Sequence, residues 1–121
     1  MKLAYWIVGG LLAVLYLYSG ALKIVRSKDQ LRPMMGWVDM FPLPFIRTIG
    51  VLEVLGAVGL ILPPLTGIAV GLALAAAVGF VLVQVGALYV HLSRGEVKVI
   101  GLNIGLLALA GVTVWLSTVW L

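Results

Sequence analysis

The sequence predicts an all-α polytopic membrane protein: a bundle of four transmembrane helices with a short interfacial segment between the first and the second. Hydrophobic residues make up 64% of the 121 positions, and the charged residues are only 8 basic and 4 acidic. Three stretches carry no charge, Leu3–Leu22, Val54–Ser93 and Val99–Leu121. Because a membrane helix needs ~20 such residues, four spans occupy most of the chain. This composition excludes a soluble domain, a disordered chain and a separate extramembrane domain, so we expect one transmembrane domain, residues 1–121.

The first span is predicted at about residues 3–25. Its start also resembles a signal peptide, with Lys2 before the apolar run and Ser19-Gly20-Ala21 as a candidate cleavage site. The apolar run is long for a signal, and basic residues follow it as a stop-transfer flank. We therefore expect an uncleaved span.

The connection 26–44 is predicted to hold a short helix and an interfacial segment. Ser27 to Gln30 has the spacing of a capping box, and Pro33 limits the helix that would begin there. The following segment is apolar and aromatic apart from Asp39, which favours a position at headgroup depth. Its apolar residues are Met34, Met35, Trp37, Val38, Met40 and Phe41.

The remaining three spans are predicted at residues 45–62, 66–92 and 99–121. Pro63-Pro64 is the only clear break in the long uncharged stretch, so we expect it to end the second span. The third span is long and must tilt or project from the bilayer. A short polar turn at residues 93–98 precedes the fourth.

The distribution of basic residues predicts the orientation. Seven lie in or beside the two polar connections, against Lys2 alone on the other side. By the positive-inside rule, loops 26–44 and 93–98 are cytoplasmic and both termini lie outside the cell (inner) membrane. This explains the net charge of +4 without nucleic-acid binding. The seven are Lys23, Arg26, Lys28, Arg32, Arg47, Arg94 and Lys98.

Small residues spaced by four recur in the third and fourth spans. Such spacing lets helix backbones approach closely in lipid. We expect these faces to pack within the bundle, and a homo-oligomer contact is the alternative. The residues are Gly67, Gly71, Ala75 and Gly79, and then Gly101 and Gly105.

Glu53 is the most informative polar residue, because it is the ninth of eighteen residues in the predicted second span. A carboxylate near the midplane must be paired, protonated or facing a wet cavity. Its candidate partners are Lys23 or His91 on neighbouring spans, or Arg47 by a long reach. A structural ion pair and a ligand-binding or proton-handling role both remain open.

Polar residues of the other spans lie in the same half of the bilayer, ~8–14 Å from the span centres. Together with Glu53 they form the candidate ligand-binding or polar-core set: Ser19, Lys23, Arg47, Glu53, Gln84, His91 and Asn103. No catalytic residue can be assigned, since no Ser–His–Asp set, phosphate loop, HExxH or dinucleotide turn is present. The chain has no cysteine, which excludes thiol chemistry within it. We expect no metal site and no built-in cofactor.

Three segments in order resemble the DoxX-like family of small four-helix membrane proteins. They are Ser19-Gly20-Ala21-Leu22-Lys23, the run from Gly50 through Glu53 and Gly56 to Pro63, and His91 at the end of the third span. The resemblance implies a four-helix bundle and a polar site shared by Lys23, Glu53 and His91. The family is similar to the small membrane subunit of a thiosulfate:quinone oxidoreductase, and other relatives resemble redox-complex partners or assembly chaperones.

Two functions follow as hypotheses. The favoured one is a non-catalytic accessory or assembly subunit, beside a membrane redox complex. The alternative is a binding protein or enzyme for a small amphipathic ligand, a quinone or a lipid, at the Glu53 site. Its enzymatic form would be a quinone-linked oxidoreductase component in which Glu53 and His91 exchange protons. A transporter is a third and weaker hypothesis.

Overall fold

Four long helices form the described part of the protein. The computed structural model describes residues 1–31, 33, 40–95 and 100–121. In chain order they form α1 (Lys2–Val25), α2 (Lys28–Leu31), α3 (Leu43–Thr66), α4 (Gly71–Ser93) and α5 (Ile100–Ser117), followed by a single 3₁₀ turn (Thr118–Trp120). Helices α1, α3 and α4, and α5 together with the 3₁₀ turn, are long and apolar enough to cross a membrane. The predicted all-α, four-span membrane architecture is therefore confirmed.

The long helices are arranged as a closed ring. Helix α1 lies against α3 and α5, and α4 lies against the same two helices. Each contributes to one central apolar core: Leu12, Ala13, Tyr16, Ala57, Leu60, Ala77, Phe80 and Ala110. Most of the other large apolar side chains are exposed on the outside of the ring, where lipid would surround them.

A close backbone contact joins α1 to α3 at two glycines. A Cβ added at Gly20 would lie 2.7 Å from the backbone oxygen of Gly50, and one added at Gly50 would lie 2.8 Å from that of Gly20. Only glycine allows this approach. The residues of the alternative cleavage site thus lie inside α1, and Gly20 among them lies at its contact with α3.

The capping box at the start of α2 is confirmed. The Ser27 amide donates to Oε1 of Gln30 at 2.9 Å, and the Gln30 amide donates to Oγ of Ser27 at 3.3 Å. Leu31 is fully buried against the ends of α1 and α3. Most of the predicted interfacial segment, residues 34–39 with Trp37 and both leading methionines, lies outside the described residues.

The prolines at 63 and 64 do not end α3, which continues to Thr66 and ends at Gly67 in a left-handed conformation. A proline at position 64 removes the amide that would bond the Leu60 carbonyl. The Tyr5 hydroxyl donates to that carbonyl at 2.5 Å and replaces the missing bond. Helix α4 consequently begins at Gly71 rather than at Thr66.

The predicted packing of the glycine rows within the bundle is wrong for α4 and α5. Among the described residues, none has an atom within 4 Å of a Cβ built at Gly79, Gly101 or Gly105. The inward face of α4 carries Ala73, Ala77, Phe80 and Gln84 instead. A repeat of small residues marks a face of the helix, but it does not say which neighbour that face meets.

Candidate functional site

The centre of the site is a salt bridge between α1 and α3. Nζ of Lys23 bonds to Oε1 of Glu53 and also donates to Oγ of Ser19 at 2.9 Å. Both charged residues are buried, Glu53 to 1% exposure. The Gly20–Gly50 contact brings the helices close enough for this pairing, because Lys23 and Glu53 each lie three residues after one of those glycines.

Arg47 binds the end of α1 rather than Glu53. Its guanidinium donates to the backbone carbonyls of Lys23, at 3.1 Å, and of Ile24. These carbonyls belong to the last turn of α1, where no further amide of the helix can reach them. Arg47 therefore caps α1 with a permanent positive charge where the helix dipole is negative.

A second polar cluster joins three helices beside the apolar core. Asn103 of α5 donates to Oε1 of Gln84 at 3.0 Å, and Nε2 of Gln84 donates to the hydroxyl of Tyr16 on α1. Tyr16 and Gln84 are buried. These hydrogen bonds give a partner to both the oxygen and the nitrogen of the Gln84 side-chain amide, as a buried polar group requires.

A groove opens between α3 and α4 next to the salt bridge. Its volume is about 220 Å³. One wall is Phe80, whose ring lies where a side chain at residue 56 would be: a Cβ at Gly56 would come within 2.6 Å of it. The ring also stacks on Tyr16, with centroids 3.9 Å apart. The lining residues are Leu52, Glu53, Gly56, Ala76, Gly79, Phe80 and Val83, so Glu53 is the only polar one among them.

The second carboxylate oxygen of Glu53 is left without a partner. Oε2 is buried, and it accepts no hydrogen bond from the described part of the chain. Burying an acceptor without a hydrogen bond costs about 1–3 kcal/mol, and more for a charged group. The groove therefore has an apolar lining and one strong, unused acceptor beside it.

A family model described as the DoxX-like family matches residues 7–113. The chain belongs to the DoxX-like family. The match covers most of the chain, including Lys23, Glu53, His91 and both polar clusters. No curated protein and no solved structure matches the sequence.

In this DoxX-like protein the hydrogen bonds join six of the seven predicted site residues into two groups. Ser19, Lys23, Glu53 and the nearby Arg47 form one group, and the other is the Gln84–Asn103 pair, which Tyr16 completes. His91 lies in the last turn of α4 and is half-buried.

Two residues of the site were not in the predicted set. Tyr16 joins the second cluster, and Phe80 forms a wall of the groove. Tyr16 shares a helix face with Ser19 and Lys23, and this spacing is a signal that could have included it. The position of Phe80 opposite Gly56 depends on how α4 is rotated, which the sequence does not specify.

Proposed function

We propose that this DoxX-like protein binds a small amphipathic ligand from the membrane, a quinone or a lipid, in the groove between α3 and α4. The observation that carries this proposal is the unpartnered Oε2 of Glu53 beside an apolar groove. Ligand sites combine an apolar lining with a few well-placed polar groups. Intramembrane carboxylates that are costly to bury are characteristic of functional sites.

A purely structural role for Glu53 accounts for less of the geometry. The ion pair with Lys23 uses Oε1 alone, and it would fix the register of α1 against α3 equally well if Oε2 were bonded to a neighbouring side chain. The groove also depends on Gly79, whose missing side chain leaves room that any larger residue would fill. Both features are explained together by a ligand that donates a hydrogen bond.

The test is native mass spectrometry of the protein released from its own membranes in mild detergent. Gly79→Leu should fill the groove and remove the co-purifying small molecule. Gly86→Leu is the matched control, because it adds the same side chain to an open position on α4 outside the groove lining. If both variants retain the same bound molecules as the unmodified protein, or if the unmodified protein carries none, the proposal fails.

The accessory or assembly subunit is the second candidate function, and the outward glycines favour it. Gly101 and Gly105 leave open space on α5. A glycine facing lipid makes no useful contact, and each one destabilises the helix by about 1 kcal/mol relative to alanine. A helix of a redox-complex subunit, or of a second copy of this chain, would gain close backbone contact there. In the same mass spectra, a protein bound stoichiometrically and released by Gly105→Leu would support this function. A monomeric protein with no bound chain would contradict it.

We also propose an orientation in the cell (inner) membrane with the polar loops in the cytoplasm and both termini outside, as the basic residues predict. The absence of cysteine makes a labelling test direct. A membrane-impermeant thiol reagent added to intact cells should label Leu121→Cys and leave Ser93→Cys unlabelled. The reverse pattern would overturn the orientation.

A further inference from the structure

We infer that the groove selects the hydroxyl end of a neutral, single-chain lipid over the same chain ending in a carbonyl or a carboxylate. This inference rests on the proposed function and specifies its ligand. It follows from the hydrogen-bonding character of Glu53, the charge balance of the salt bridge, and the size of the groove.

The hydrogen-bonding argument begins with the salt bridge. In the ion pair with Lys23, Glu53 is a carboxylate, and a carboxylate only accepts hydrogen bonds. Every other residue that lines the groove is apolar. A ligand with a hydroxyl can donate a hydrogen bond to Oε2. A ketone cannot, because its oxygen and Oε2 are both acceptors. A polar site made for a donor rejects analogues that lack it.

The charge argument excludes an ionised head group. Lys23 already pairs with Glu53, and Arg47, the other cation of the group, is bound to the carbonyls at the end of α1, so a ligand carboxylate would place a second negative oxygen against Oε2 inside the bilayer. A hydroxyl fills the vacant hydrogen bond without changing the local charge. The head group is therefore neutral.

The size argument favours one chain. The groove has a volume of about 220 Å³. A water molecule occupies ~30 Å³ in the liquid, so the groove holds about seven groups of that size. Along α4 the lining runs from Ala76 to Val83, a rise of ~10 Å. This matches the hydroxyl and the first methylenes of one alkyl chain. The groove opens along two membrane-spanning helices, so the remainder of the chain stays among the lipids.

Glu53→Gln provides a specific test, because it should change the preference rather than only weaken binding. The amide oxygen can keep the bond from Lys23, since an ammonium needs an acceptor. The amide nitrogen then occupies the position of Oε2 and donates a hydrogen bond where the oxygen accepted one. In this variant the ketone should gain affinity and the alcohol should lose it. A residue that only holds the helices together would not produce such an exchange.

The experiment is a competition in lipid nanodiscs, read by native mass spectrometry, with decanol, the methyl ketone of the same length and decanoate at equal concentration. Decanol should occupy the unmodified protein about tenfold more than either competitor, as expected for one hydrogen bond to a charged group. Glu53→Gln should reduce or reverse this ratio. Gly79→Leu should abolish binding of all three, and Gly86→Leu should change nothing.

The outcomes separate the inference from the proposed function. Equal occupancy by the three probes that is lost in Gly79→Leu means that the groove binds chains by apolar contact alone, which overturns the selectivity and retains the ligand site. A preference for the ketone in the unmodified protein means that Glu53 is protonated and donates a hydrogen bond, and it also overturns the inference. Binding of none of the probes overturns the inference. If the protein also lacks a groove-dependent ligand from its own membranes, the proposed function fails with it.

Discussion

Removing one partner of the Lys23–Glu53 pair should destabilise the bundle far more than removing both. Lys23→Met leaves the Glu53 carboxylate, at 1% exposure, without its counterion. Glu53→Leu likewise leaves the buried Lys23 without its counterion. The double variant contains no buried charge at this position and keeps an apolar contact between α1 and α3.

The magnitude follows from the burial of the pair. Two unit charges ~4 Å apart interact by about 4 kcal/mol at an effective dielectric of about 20. Breaking a buried pair by removing one partner costs about 3–5 kcal/mol, whereas replacing both with apolar residues is often neutral. We therefore expect each single variant to lose about 3–5 kcal/mol of unfolding free energy and the double variant to lose less than either.

The assay is equilibrium unfolding in mixed micelles with a rising fraction of a denaturing detergent, followed by circular dichroism and analysed as a double-mutant cycle. Lys2→Met is the control. It removes a basic residue of the same helix that lies over the Trp120 ring, near the surface, and should change stability little. Additive single effects, or single variants as stable as the control, would refute the reasoning, since they would mean that the pair contributes no coupling.

Three further predictions concern the packing and the capping of the helices. Tyr5→Phe should cost about 1–3 kcal/mol, because it leaves a buried carbonyl unbonded. The cost should fall in a Pro64→Ala background, which restores the helical amide, and equal costs in both backgrounds in the unfolding assay would contradict this. Gly20→Ala should lower the thermal midpoint by forcing α1 and α3 apart, whereas Gly10→Ala, where a methyl group meets open space, should leave it unchanged or slightly higher. Ser27→Ala should remove about 1 kcal/mol from the α2 cap, seen as roughly fivefold faster exchange of the Gln30 amide, and unchanged exchange would count against the cap.

The sequence predicts the number and approximate location of the spans well, because charge-free length is almost sufficient to identify a membrane helix. It also identifies Glu53 as a residue needing a partner, and the structure pairs it with Lys23, one of the three candidates. Depth along each helix was informative too. Gln84 and Asn103, which the sequence places at similar depth, are hydrogen-bonded to each other.

The errors share one physical origin, the rotation and contact of helices that are far apart in sequence. Pro64 looks like a helix end until Tyr5, from another helix, bonds the carbonyl that the proline leaves free. Arg47 looks like a partner for Glu53 until the end of α1 lies within its reach. The row containing Gly79 looks like a close helix contact until the structure shows a groove, not a neighbouring side chain, beside Gly79. None of these contacts has a local pattern that would predict it.

The two polar clusters differ in a way that bears on function. In the Tyr16–Gln84–Asn103 cluster, Oε1 and Nε2 of the buried Gln84 amide are both hydrogen-bonded. A role in fixing the register of the helices is sufficient to explain this cluster. In the Ser19–Lys23–Glu53 cluster one oxygen of the most buried charge has no bond within the described chain, and it lies next to the groove. A structural network gains nothing from that omission, because an unsatisfied buried acceptor is destabilising. A site that must exchange a ligand needs such a group, since a group already bonded within the protein would have to break that bond before binding.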